Sequence, residues 1–348
     1  MAGAACGSDD DSASSVTTAA RAEPTSEATD LEPLSVVVTT SILGDVVTES
    51  LGELVGADIT VDTIMPIGVS PHGFEPSTKQ AETMEQADLL VVNGLNLEGG
   101  LTSLIEAAED AGVEVFTFAD WIDVLPSPGT DAHDHDEDEA HDHDHDEDEA
   151  HDHDEDEAHD HDEEEVHDHL HGDDDPHLWM DPTQVAAGVE ALADELVELG
   201  ADADAVQGAA DAYIDELIAL DQEITTILEV VPEADRYLVT NHQAFGYFAD
   251  RYDFVMLGAA IPSLTTDAAA SAAELEDLAD LIREYDLPAI FSETTESDDL
   301  VNALADEVGN EVVIAQLYTG SLGEPGSGAE THIGMMTTNA QRVADALG

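Results

Sequence analysis

Residues 204–230 carry a single apolar stripe. Ala210, Tyr213, Ile214, Leu217, Leu220, Ile224, Ile227 and Leu228 recur at three- and four-residue spacing, the period that lines one face of an α-helix. Pro232 closes the run. At 1.5 Å per residue such a helix is about 40 Å long, longer than a small domain needs, so it is expected to join two bodies. Both flanks agree with this. Before it, apolar β-rich runs at 36–40, 59–65, 88–94 and 113–118 alternate with helical patterns opening at Ser41, at Ser77 or Thr78 as cap, and over 183–199. After it the alternation restarts, with strands at 237–240, 254–258, 289–291 and 311–317 and helices over 271–284, 298–307 and 334–347. Near-continuous apolar strands alternating with helices imply parallel sheets covered on both faces. The expected fold class is therefore α/β: two parallel-sheet lobes joined by a long helix. The expected divisions are a tether over 1–34, an N-terminal lobe over 35–200, a linking helix over 201–231 and a C-terminal lobe over 232–348.

Charge divides the chain differently. The 348 residues hold 83 acids against six bases, a formal net charge of −77. That balance excludes a nucleic-acid binder, which needs a basic footprint on the phosphates. Residues 131–175 contain 26 of the acids, 12 of the 16 histidines and no base. The pattern beginning His133-Asp134-His135-Asp136-Glu137 recurs with variations from His141, His151 and His159, and a fragment returns at His167. With almost no apolar residue and dense like charge, this tract cannot form a core and is expected to be a disordered loop in the first lobe. The rest of the chain keeps 57 acids against the same six bases, a hydrated acidic surface of its own.

Cys6 is the only cysteine, so neither an intramolecular disulfide nor a Cys-based zinc site is available. It follows Ala4 and Ala5 and precedes a Ser/Asp/Thr-rich stretch. This is similar to a bacterial lipoprotein processing site with its flexible tether, although no basic, apolar segment precedes it and Gly3 stands where Leu is typical. Lipidation at Cys6 is the expectation, with an extracytoplasmic protein anchored at the cell membrane, in the periplasm or on the cell surface.

Outside the tract four histidines remain, and three lie in loops beside strands. His72 sits in Ser70-Pro71-His72-Gly73-Phe74-Glu75-Pro76, His177 in Asp175-Pro176-His177-Leu178-Trp179-Met180-Asp181-Pro182, and His242 in Asn241-His242-Gln243-Ala244-Phe245-Gly246-Tyr247-Phe248. Loops at strand C-termini are the usual site loops of open α/β sheets. Neutral imidazole is the common zinc ligand, and ligands from distant segments can close two lobes around a cation. A surface or hydrogen-bonding role is the alternative for each histidine alone.

In order and spacing these three segments resemble the metal-binding motifs of cluster A-I solute-binding proteins, the receptors of zinc and manganese ABC importers. The resemblance covers about residues 36–348. It implies two α/β lobes bridged by a rigid backbone helix, and His72, His177 and His242 as metal ligands. It also implies a membrane permease and its ATPase as partners, with Zn2+ as the transported ligand and the receptor acting as a monomer. Manganese members generally have a carboxylate where His242 stands, and an imidazole there favours zinc. The family's fourth ligand, an Asp, falls where this chain has Gly320. Glu293 and Glu324 are the candidates for a fourth ligand, Glu293 also for a group bonded behind one, while His332 is expected not to be a ligand.

The tract histidines His133, His135, His141, His143, His145, His151, His153, His159, His161, His167, His169 and His171 are expected to form weak, exchangeable zinc sites, since zinc-importer members of the family often carry such a loop. The leading function is a high-affinity zinc receptor without catalysis. A manganese or other divalent-metal receptor is the alternative, followed by a zinc buffer or adhesin lipoprotein. A zinc hydrolase is disfavoured by the lack of a His-Glu-x-x-His motif and of a positioned base.

Overall fold

The computed structural model describes residues 33–126, 174–266, 270–309 and 312–348. Cys6 and the twelve tract histidines lie outside them. The first sheet contains β1 (Leu34–Val38), β2 (Ile59–Thr63), β3 (Leu89–Val92) and β4 (Glu114–Thr117), with helices α1 (Ser41–Leu51), α2 (Thr78–Met84) and α3 (Thr102–Asp110) between them. The helices α4 (Pro182–Glu198) and α5 (Ala203–Leu228) follow. The second sheet contains β5 (Tyr237–Thr240), β6 (Val255–Ala259), β7 (Ala289–Glu293) and β8 (Val313–Leu317). Its connections carry α6 (Gly246–Arg251), α7 (Ala272–Glu284) and α8 (Asp299–Val308), and α9 (His332–Leu347) ends the chain.

Both sheets are wholly parallel and have the same plan, β2-β1-β3-β4 and β6-β5-β7-β8. In each the direction of winding reverses between the two central strands, the switch point where loops part and leave a crevice. The α/β two-lobe expectation holds. Two short helices, α3 and α6, were not anticipated: α6 spans only six residues, too few for a 3.6-residue period to stand out.

Strand alternation explains the layering. On β1, Val36 and Val38 face a core that Val37 does not share; on β3, Leu89 and Val91 face it while Leu90 and Val92 face away. The second sheet repeats this, with Leu238 and Phe291 inward and Val239 and Ile290 outward. The inward faces of both sheets belong to one continuous apolar core. Val206, Ala210, Tyr213, Leu217, Leu220, Ile224 and Leu228 of α5 run through it, beside residues of α1, α4 and α9. The long helix is thus a shared wall of both lobes rather than a bare strut.

Local signals set the boundaries. Ser77 forms a full capping box with Gln80 at the start of α2, and Asp181 accepts from Thr183 N with Pro182 leading α4. Gly188 lets α4 approach Phe118: a Cβ there would lie 2.3 Å from the Phe118 ring. Gly188→Ala is therefore expected to destabilise the protein by about 1–3 kcal/mol. Gly208→Ala, at an exposed point of α5 where a Cβ meets nothing within 4 Å, should stabilise it by about 0.5–1 kcal/mol. Denaturant midpoints at unchanged slope check both.

Candidate metal centre

The three loop histidines come from both lobes and converge. His72 follows β2, His177 precedes a short 3-10 turn over Leu178–Met180, and His242 stands two residues beyond β5. The His177 Nε2 atom lies 3.3 Å from Nε2 of His72 and 3.2 Å from Nε2 of His242. Among the described residues these three form the one group of ligand-type side chains that could hold a metal ion, with ligand atoms within 4.8 Å of one another. A tetrahedron with Zn–N bonds of about 2.0–2.1 Å has an edge of roughly 3.3 Å, so two edges already have metal-ready lengths. Three lone pairs at this range repel one another unless a proton or a cation lies among them, and that makes the cluster a cation trap.

Two imidazoles are oriented by buried carboxylates. Asp175 Oδ1 accepts from His177 N at 2.9 Å and pairs with its Nδ1 at 2.7 Å. Glu293 Oε1 accepts from His242 N at 3.0 Å and pairs with its Nδ1 at 2.5 Å, while Oε2 accepts from the Thr319 hydroxyl at 2.5 Å. A carboxylate bonded to Nδ1 fixes the ring and leaves Nε2 to face the metal. Behind His177 the support continues: Asn93 Nδ2 donates to the Pro176 carbonyl at 2.9 Å, and Glu98 Oε1 accepts from Asn93 N and the Thr39 hydroxyl, both at 2.7 Å. Gly246 makes room for Asp175, since a Cβ there would meet Asp175 Oδ2.

Burial decides the protonation states. It pushes His72 down to about 2, helped by its two imidazole neighbours, and it also lowers His177 against the pull of Asp175. For His242 burial acts downward too, but the Glu293 carboxylate outweighs it and holds the ring above its ordinary value. Glu293 is correspondingly held low, its own burial outweighed by His242 and Thr319. Burial thus favours the neutral rings of His72 and His177, while Glu293 favours the protonated ring of His242.

The other expected residues lie elsewhere. Glu293 is committed to His242 and Thr319, so it stands behind a ligand rather than completing the shell. Glu324 is exposed. His332 is buried, donates from Nε2 to the Trp179 carbonyl at 2.8 Å, and its backbone N–H reaches Asp45 at 2.7 Å; it joins the lobes and does not enter the triad. At Gly320 a Cβ would come within 2.8 Å of Pro71. Asp175 was not singled out from the sequence, although an Asp two residues before a His across a fixed Pro is a readable signal of a side chain folding back on its own loop. The tract over 127–173 leaves and re-enters the fold at one place: Pro126 bridges to Asp174, and Asp175 N donates to the Leu125 carbonyl at 2.9 Å.

Two lobes that contribute imidazoles to one cation-sized cluster define a metal-binding receptor of the bilobal α/β class. The chain matches the family model described as zinc-uptake complex component A, periplasmic, over residues 36–346, and it belongs to that family. It is 31% identical over 94% of its length to the manganese-binding lipoprotein MntA of Halalkalibacterium halodurans, covering 92% of that protein. It is 27% identical to the manganese-binding lipoprotein MntA of Bacillus subtilis, covering 91% of this chain and 90% of that one. The periplasmic zinc-binding protein TroA of Treponema pallidum superposes with a TM-score of 0.71 at 25% identity, over 91% of this chain and all of that one. The chain is therefore the extracytoplasmic substrate-binding component of a metal ABC transporter, not an enzyme, and its partners are a divalent metal ion, a permease and an ATPase. Among the described residues no helix is long and apolar enough to cross a membrane.

Because Glu293 holds His242 above its ordinary value and a metal ion displaces whatever proton the ring holds, ion binding should release protons, more of them at lower pH. Affinity should fall as pH drops below the raised His242 value. In Glu293→Gln the largest charge holding His242 up is removed, burial is opposed only by the more weakly acting Glu296 and Asp175, and the number of protons released should fall. Affinity should also fall by about 10–100-fold. Calorimetry in buffers of different ionisation enthalpy measures both.

Proposed function

We propose that the protein is a zinc receptor: His72, His177 and His242 bind Zn2+ and hand it to the permease. The observation that carries this is the donor set. Three nitrogens converge with no carboxylate oxygen among them, and imidazole suits zinc while manganese favours oxygen donors and ranks lowest in affinity for nitrogen sites. Manganese is the second reading, supported by the two manganese-binding relatives above. All three ligands come from one chain, which supports action as a monomer.

The test is equilibrium binding of Zn2+, Mn2+ and Cu2+ to the wild type and to His72→Ala, His177→Ala and His242→Ala. Trp179 provides an intrinsic fluorescence reporter, its ring centroid 5.4 Å from that of His177. Zinc should bind far more tightly than manganese, and each alanine should remove tight binding. Manganese binding as tightly as zinc would establish the second reading, and alanine variants that still bind tightly would refute the site.

The twelve tract histidines are assigned to auxiliary zinc capture. The described residues flanking it, Pro126 and Asp174, pair beside Asp175, which supports delivery of ions gathered on the tract to the loop that carries His177. Deleting residues 131–171 should abolish weak calorimetric binding and leave the tight site unchanged. Cys6 is assigned as the lipid anchor, a reading supported by the lipoprotein names of the relatives. Globomycin-sensitive membrane retention that Cys6→Ser eliminates would establish it.

A further inference from the structure

Three imidazoles fill three corners of a tetrahedron and leave one donor to be found. The position where the resemblance expects an aspartate is Gly320, and the space beside it is taken: a Cβ there would meet Pro71 at 2.8 Å and the Thr295 hydroxyl at 3.6 Å. The segment after β7 thus lies against the loop that carries His72, and the next residue on that segment is Glu296. Three carboxylates act on the charge of His242, namely Glu293, Glu296 and Asp175. Glu293 and Asp175 are bonded to Nδ1 atoms; Glu296 takes no part in those bonds.

Its surroundings suit a movable donor. Glu296 is half-buried beside the Ser70 hydroxyl of the first lobe and the Thr266 hydroxyl of the second. Ser70 Oγ is buried and makes no hydrogen bond of normal geometry, so the carboxylate is near that hydroxyl without being locked to it. Burial and the Glu293 charge both raise its pKa, a cost to the anion that a bound cation would remove. Resting on the metal-receptor reading, we propose that Glu296 supplies the fourth ligand, an oxygen that swings from the Ser70–Thr266 edge onto the ion. The missing aspartate at 320 is then replaced from the adjacent loop.

The full chain, with Glu296→Ala, Glu296→Gln and the control Glu324→Gln, tests this with two readouts. Zinc affinity by competition should fall about 100-fold in Glu296→Ala, at or beyond the top of the roughly 10–100-fold range of groups that act from behind a ligand. Substituted Co2+ should show altered visible absorption bands in both Glu296 variants, because the donor itself changes, and unaltered bands in Glu324→Gln. Wild-type affinity and an unchanged Co2+ spectrum in both Glu296 variants would overturn the proposal, water being the fourth donor. A weaker affinity with an unchanged spectrum would also overturn it, since Glu296 would then act only through its charge. If His72→Ala, His177→Ala and His242→Ala still bind zinc tightly, it is the receptor site that fails.

Discussion

The site depends on one continuous apolar core. Two parallel sheets of identical plan turn one face each toward α5, whose stripe from Val206 to Leu228 packs between α1, α4 and α9. Burial of this kind is the dominant favourable term in folding, and because both lobes draw on the same core neither can swing freely. Polar stitches reinforce it: Trp179 Nε1 donates to the Thr319 carbonyl at 2.9 Å, and Gly68 N donates to Ser321 Oγ at 2.7 Å. Nitrogen atoms from segments as far apart as residues 72 and 242 can then be held within a few ångströms, as metal ligation requires.

Within that frame the chemistry is set by what lies behind the ligands. Glu293 and Asp175 each use one oxygen to hold a backbone N–H and an Nδ1 together. The imidazole rings are therefore oriented before the ion arrives. Burial keeps His72 and His177 neutral, while Glu293 lets His242 hold a proton. A site built this way is expected to trade protons for a metal ion and so to respond to pH, although its histidines are held by a rigid fold.

The extreme acidity of the chain has two origins with different consequences. Some of it lies in a repetitive tract that precedes the His177 loop in the chain, where Asp175 N donates to the Leu125 carbonyl. The remainder lies outside the tract, where two of the few bases are used structurally. Arg251 pairs with Asp221 through two bonds, and Arg236 donates to the Val231 and Tyr252 carbonyls. Net charge governs solubility and encounter with cations, not fold.

Periodicity alone determined the fold class here. The eight strands of the described residues were legible as short, near-continuous apolar runs and the long helix as an apolar stripe at three- to four-residue spacing, both local properties of the chain. The three clustered histidines were legible as candidates because each lies in a loop beside a strand, in a segment distinctive enough to carry a resemblance. Only tertiary structure decided the rest. Asp175 and Glu293 became orienting groups because the fold brings their oxygens onto particular Nδ1 atoms. Glu324 fell on the surface, His332 became a tie between lobes, and the space at Gly320 closed against Pro71. Apart from Asp175, whose partner His177 is two residues away, such outcomes turn on distances of a few ångströms between residues far apart in the chain, which no local pattern of residue types encodes.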